Sequence, residues 1–258
     1  MKVVIAGAGG RMGRTLIEAV LANASFTLAA ALDVPESPAI GTVVGVVSVG
    51  SDIAAAVSAA DVLIDFTRPE GTLAHVDACV AAGKAMVIGT TGFTSEQLLR
   101  ISDAARQIPI VMSPNFAVGV NVVFRLAETA AKILGDDYDV EIIEAHHRHK
   151  VDAPSGTALE LGKLIAKALD RNLGDVATHG RQGEPGARPA KEIGFHAIRG
   201  GDIVGEHTIV FAGTGERVEV TVRSQSRLTY ANGALRAVKF LRGRKNGLYD
   251  MQDVLTLR

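Results

Sequence analysis

Residues 3–13 read VVIAGAGGRMG: a short apolar run, a turn dense in glycine, and the start of a stretch with helical spacing. A strand over VVIAG (3–7) followed by a helix over RMGRTLIEAVLANA (11–24) predicts the first strand–helix unit of a parallel sheet. Glycines fall at 7, 10 and 13, with an extra one at 9, whereas the usual G-x-G-x-x-G would end at position 12, which is Met12. The reason for glycine stands despite the variant spacing. A backbone without side chains lets a pyrophosphate approach N–H groups at a helix N-terminus, where the helix dipole favours negative charge. A plain strand–helix turn near an unrelated surface acid would use the same letters. Against that, the turn is the first in the chain, and Asp33 closes the second strand candidate, FTLAAALD (26–33). An acid in that place accepts hydrogen bonds from the adenosine ribose of a dinucleotide. Asp33 would repel a 2′-phosphate and Val34 follows it, although Arg11 and Arg14 could reach such a group from the turn. The expectation is that NADH binds at least as well as NADPH. No G-x-x-x-x-G-K-[ST] occurs, which disfavours a nucleoside-triphosphate loop.

Outward from this turn, short apolar runs alternate with helical stretches. After a Gly/Val/Ser loop come VLIDF (62–66), a helix opened by Pro69 (69–82) and AMVIG (85–89); a helix near 94–107 then precedes IPIVM (108–112). Runs that are apolar throughout and joined by helices predict a doubly wound parallel sheet covered on both faces. GTTGF (89–93) and SPNF (113–116) follow two of these strands. They lie where open parallel sheets bind ligands, although ordinary loop chemistry would account for either alone.

The pattern changes after residue 113. FAVGVNVVFRLAETAAKIL (116–134) is an amphipathic helix, YDVEIIEAHH (138–147) a strand, and SGTALELGKLIAKALD (155–170) a helix capped by Ser155. A polar Gly/Pro-rich loop (172–190) precedes three alternating strands, 192–200, 204–213 and 217–225, and a helix over 230–243. The expected second domain is α+β, smaller, with an open mixed or antiparallel sheet covered on one face by the two helices. The chain has 258 residues and a formal net charge of -1, so no global basic excess recruits nucleic acid or an anionic membrane. No run approaches the ~18–20 apolar residues of a membrane span. The start lacks a signal-peptide core, and the single cysteine, Cys79, reads as a small core residue, so a cytoplasmic location is expected.

Anion binding must then come from a local cluster, and one stands out: HHRHKVDAPSGT, with His146, His147, His149, Arg148 and Lys150 crowded before a helix start. Alternation sends His146 and His147 to opposite sides of the strand. Histidines at this spacing, beside Arg and Lys, repel a metal cation. A solvated basic patch is the bland alternative. The Ser155-Gly156-Thr157 helix start argues against it, because cations followed by free helix N–H groups describe a carboxylate or phosphate pocket. Histidine also delivers protons near neutral pH. The reading is an acid–base site for an anionic substrate. A nucleophilic role for Ser155 is disfavoured, since no G-x-S-x-G context surrounds it.

IAGAGGRMG, GTTGF, SPNFAVGVN, EAHHRHKVDAPSGTAL and SRLTYANGALRA, in that order and spanning the chain, resemble the 4-hydroxy-tetrahydrodipicolinate (dihydrodipicolinate) reductase family. HHRHKVDAPSGTA is the specific part. The resemblance implies NAD(P)H-dependent reduction of a cyclic unsaturated imine dicarboxylate on the diaminopimelate route to lysine. It implies His146 as proton donor with Lys150 as its partner, and His147, Gly156 and Thr157 as binders of substrate carboxylates. Gly7, Ala8, Gly9, Gly10, Arg11, Met12, Asp33, Gly89, Thr90, Thr91, Ser113, Pro114, Asn115 and Phe116 are the implied cofactor contacts. The implied fold is a Rossmann-like domain of residues 1–117 and 228–258, with a substrate-binding and oligomerisation domain of 118–227 forming a homotetramer through its sheet. Two positions depart from the family pattern: Val34 stands where some relatives carry arginine, and Ser113-Pro114 where small residues are expected. Another two-domain dehydrogenase would not need the HHRHK cluster, and a non-catalytic dinucleotide sensor could lose His146 and Lys150.

Overall fold

The structure is a computed structural model in which residues 1–257 are described. In chain order come β1 (Lys2–Ala6), α1 (Arg11–Leu21), β2 (Thr27–Leu32), β3 (Val43–Val44), β4 (Val47–Gly50), α2 (Ile53–Ser58) and β5 (Val62–Asp65). Next are α3 (Pro69–Ala82), β6 (Ala85–Ile88), α4 (Ser95–Ala105), β7 (Pro109–Met112), α5 (Val118–Leu134) and β8 (Asp139–His146). Then follow α6 (Gly156–Ala168), α7 (Leu173–Val176), β9 (Ala177–His179), β10 (Ile193–Arg199), β11 (Gly205–Ala212) and β12 (Arg217–Ser224). The chain closes with α8 (Leu228–Leu241), β13 (Gly247–Tyr249) and α9 (Met251–Val254). Among the described residues no helix is long and apolar enough to cross a membrane.

Two compact units result: Met1–Val118 together with the chain from Arg227 onward, and Gly119–Ser226 between them. The first holds a sheet ordered β13-β7-β6-β5-β1-β2-β4-β3, parallel except for the β3–β4 hairpin at its edge. Strand order reverses about β1, the arrangement that opens a ligand crevice at strand carboxyl ends. Alternate residues of one strand serve opposite cores. Val3 and Ile5 join Leu16, Val20, Leu235 and Val238 on the α1/α8 side. Val4 and Ala6 join Leu73, Val76 and Ile101 on the α3/α4 side. Helix boundaries follow local chemistry: α3 starts on Pro69 and stops at left-handed Gly83, and Thr94 with Gln97 forms a capping box on α4.

The second unit has a sheet ordered β12-β11-β8-β10-β9, with β8, β10 and β9 parallel and β11 antiparallel to both neighbours. Val140, Ile142, Glu144 and His146 alternate onto its covered face, beside Ile193 and Phe195 of β10 and Ile209 and Phe211 of β11. Helix α6 buries Leu161 and Ile165, and a Cβ on Gly162 would stand 2.4 Å from the Phe195 ring. Helix α5 meets β12 where Gly119 faces Val222.

Three stretches differ from the sequence expectation. Residues 34–61 are more than a loop, since they hold β3, β4 and α2. The loop 172–190 contains α7 and β9, and the C-terminal helix is followed by β13 and α9. All are elements of two to six residues, too short for periodicity to register.

Candidate active site

In the first unit the carboxyl end of β1 sets the geometry. Gly7 has φ +74°, a conformation a side chain resists, and its carbonyl accepts the Gly10 N–H at 3.0 Å. A Cβ on Gly13 would lie 2.0 Å from the Gly7 oxygen, so glycine there lets α1 seat directly on the strand end. Asp33, at the end of β2, accepts from Gly9 N–H at 2.7 Å and from Val34 N–H at 2.8 Å. A carboxylate has about four acceptor positions, so Asp33 keeps capacity for ribose hydroxyls. The residues present therefore fit a dinucleotide: a side-chain-free turn, a helix N-terminus and an acid at the neighbouring strand end.

The other strand ends pack onto this turn. The Thr67 methyl lies 3.0 Å from where a Gly7 Cβ would be, and the Phe66 ring 2.2 Å from a Gly89 Cβ. The Phe66 and Phe116 rings are 5.4 Å apart. Ser113 donates to the Asn115 carbonyl at 2.9 Å, and Asn115 accepts from Ala117 N–H. Ala8, Thr90, Ser113 and Phe116 are buried, Met12 and Asn115 partly so, while Gly10, Arg11, Thr91 and Pro114 are exposed. The Phe116 ring belongs to the core, which leaves its backbone as the part able to meet a ligand.

In the second unit β8 delivers Glu144 and His146 to one face. Glu144, 1% exposed, accepts two bonds from Arg199 at 2.6 and 2.8 Å, one from His146 Nδ1 at 2.6 Å and one from Ser155 N–H at 3.1 Å. Ser155 caps α6 by accepting from Ala158 N–H at 3.2 Å and lies 3.1 Å from His207 Nε2. His207 and His146 meet edge to face at 5.2 Å. Lys150 pairs with Asp152 at 2.9 Å, and its backbone N–H closes a turn onto the His147 carbonyl. His147 stands just past the strand; among the described residues none hydrogen-bonds its buried Nδ1. Gly156 opens α6 exposed, with Thr157 half-buried beside it.

Burial raises the Glu144 pKa, but the Arg199 and His146 bonds outweigh it and hold the carboxyl below its ordinary range. Burial pushes His146 below its ordinary value despite Glu144, with Lys150 and Arg199 adding to the depression. Burial, with repulsion from His146, takes His207 down to about 4. A carboxylate that fixes one imidazole nitrogen, with cations and a helix N-terminus nearby, can orient the ring for proton transfer at the other nitrogen.

Comparison with known proteins covers nearly the whole chain. Residues 1–116 match the family described as dihydrodipicolinate reductase, N-terminus, and residues 119–255 its C-terminus. The 4-hydroxy-tetrahydrodipicolinate reductase of Cupriavidus metallidurans is 56% identical over the full length of both chains. This chain belongs to the dihydrodipicolinate reductase family. The same-named protein of Aromatoleum aromaticum is 57% identical, covering all of this chain and 96% of its own. A solved dipicolinate-bound dihydrodipicolinate reductase from Paenisporosarcina sp. TG-14 superposes with a TM-score of 0.81 at 28% identity, over 98% of each chain. A probable dehydrogenase from Thermotoga maritima, 11% identical with a TM-score of 0.66, shares the fold.

The sequence reading of this reductase missed Glu144, Arg199 and His207. Glu144 was within reach, since i and i+2 on a strand share a face with His146. Arg199 was not: it reaches the site because β10 pairs with β8 in a register that sets Arg199 opposite His146.

Proposed function

We propose that this chain catalyses the NAD(P)H-dependent reduction of 4-hydroxy-tetrahydrodipicolinate to tetrahydrodipicolinate, in lysine biosynthesis by the diaminopimelate route. The observation that carries the site reading is the Glu144–His146 pair, buried beside Lys150 and the α6 N-terminus. Gly7–Met12, Asp33, Gly89–Thr91 and Ser113–Phe116 hold the dinucleotide, which when bound supplies the hydride. His147, Gly156 and Thr157 hold the substrate carboxylates; the dipicolinate bound to the Paenisporosarcina relative supports a cyclic dicarboxylate as the ligand.

Reduction of a conjugated imine builds negative charge at the far end of the π-system. His146 answers it with a proton. Its Nδ1–H is committed to Glu144, so delivery falls to Nε2. The lowered pKa makes protonated His146 a better proton donor than a free imidazolium, and a bound dicarboxylate raises the fraction that carries the proton. Lys150 exchanges Asp152 for the substrate and stabilises the developing charge. The polar α6 N-terminus holds the substrate through backbone N–H groups.

Loss of NADH absorbance, with and without enzymatically generated substrate, tests the function. His146→Ala and Lys150→Ala should each lower kcat by about 10²–10⁴-fold with NADH affinity near wild type. Wild-type turnover in both removes the acid-catalyst assignment. In the same assay NADH should show a KM no higher than that of NADPH, because Asp33 and exposed Val34 offer a 2′-phosphate no cation. A KM for NADPH well below that for NADH overturns the preference. The sheet face carrying Ile143, Ile198 and Val210 suits a homotetramer, and a cytoplasmic location suits the reaction; light scattering checks the first and cell fractionation the second.

A further inference from the structure

The first unit contains a largely buried polar network centred on a carboxylate that the proposed mechanism does not use. Asp65, the last residue of β5, is 0% exposed. Its Oδ2 accepts from His75 Nδ1 of α3 at 2.6 Å. Its Oδ1 accepts from Thr67 N–H at 2.8 Å, Thr67 Oγ at 2.7 Å and Thr90 Oγ at 3.1 Å. Thr90 Oγ in turn accepts from Thr67 N–H and from Thr72 Oγ, both at 2.9 Å. One carboxylate thus ties the chain after β5 to the chain after β6, with α3 holding it from behind. Those two segments flank the glycine turn: Thr67 packs on Gly7, and Gly89, one residue before Thr90, packs on Phe66.

A buried carboxylate is costly unless fully bonded, so a fold that keeps one commits its neighbours to a single arrangement. A plain apolar contact would hold β5 and β6 together more cheaply, and the strands already pair in register from Val62 with Ala85 to Asp65 with Ile88. Thr67 and Thr90 lie past that pairing, which ends at Asp65 with Ile88 and the Gly89 N–H bond to the Asp65 carbonyl. We infer that the buried Asp65–His75 pair, acting through Thr67, Thr72 and Thr90, is a positioning device that preorganises the two strand-end loops for the dinucleotide. This rests on the cofactor placement proposed above. Asp65 and His75 are positioning residues, since their side chains act through the threonines.

The test is NADH affinity of the full-length protein without substrate, read by cofactor fluorescence, with Tm and kcat at saturating NADH alongside. His75→Leu removes the donor to Asp65. His75→Asn keeps a side-chain N–H near the Nδ1 position. Thr72→Val removes one hydroxyl and leaves the Asp65–His75 pair intact. The Kd for NADH should rise about tenfold in His75→Leu, as for a buried partner left unpaired, and about threefold in Thr72→Val, with His75→Asn close to wild type. The kcat at saturating NADH should stay within about twofold in all three, since the loss is in binding. A merely structural role predicts a lower Tm in His75→Leu with the Kd unmoved, and that result overturns the proposal. So does equal loss of affinity in His75→Leu and His75→Asn. If His75→Leu does not fold, Thr72→Val decides: a wild-type Kd overturns the proposal and the expected weakening supports it. Gly9→Ala separates the premise, because its Cβ would stand 2.8 Å from Asp33 Oδ2. Unchanged affinity in Gly9→Ala removes the cofactor placement itself. Lost affinity there, with wild-type affinity in the other three, removes only the role of the network.

Discussion

Glu144 shows how much one side chain can organise. It is the common partner of Arg199, His146 and the Ser155 N–H, and so couples two strands and a helix start. Glu144→Gln keeps the shape, removes the charge and leaves one acceptor oxygen where there were two, so Arg199, Ser155 N–H and His146 Nδ1–H compete for it and the hold on the His146 tautomer weakens. The kcat should fall at least about tenfold while the NADH Kd holds; an unchanged kcat would show that His146 does not depend on this partner. His207 makes a separate prediction. Its folded pKa, down to about 4, lies below the ordinary histidine value of 6.5. Between those two values the unfolded chain takes up a proton that the folded chain refuses, so stability falls as pH drops through that window. The full effect is about 3 kcal/mol, reached below the folded value and absent above neutrality. Melting temperature against pH should flatten in that window for His207→Gln. Of this only the shared face of Glu144 and His146 was within reach of the sequence, by strand alternation; the HHRHK run announced cations, and the bonds from Arg199 and the approach of His207 come from strand register.

At the level of the element, the turn from β1 into α1 depends on contact distance more than on spacing. The glycine at position 13, off the usual pattern, is the one that α1 uses to seat on the Gly7 carbonyl. Gly13→Ala would drive a Cβ into that oxygen and force α1 away from the strand end. NADH affinity should drop by about tenfold or more, with stability lower by about 1–3 kcal/mol; titration and thermal melts check both. Wild-type affinity would mean that the helix tolerates displacement. Elsewhere, long periodic elements and their caps were readable: Ser155 caps α6 and Pro69 opens α3. Strands of two to four residues, such as β3 and β13, were not, because they exist through their pairing partners.

For the whole molecule, the first unit is completed by its last segment. Ala231, Ala234, Leu235, Val238 and Leu241 of α8 are buried in the same core as Val3, Ile5 and Leu16. Each large side chain contributes about 1.5–3 kcal/mol on burial, and together they rival the net stability of a domain, about 5–15 kcal/mol. A chain ending at residue 226 should therefore fail to bind NADH and should aggregate or melt far below the full chain; retained affinity in calorimetry would show that α8 is dispensable. By itself the sequence determined the doubly wound class, the glycine turn with its acid, and the cationic run before a helix start, because periodicity, glycine content and charge are local. Only the tertiary structure decided that Arg199 and His207 join Glu144 and His146, and that Asp65 binds two loops together. Those partners are distant in the chain, and strand register, which depends on how whole faces bury, is what brings them within hydrogen-bond reach.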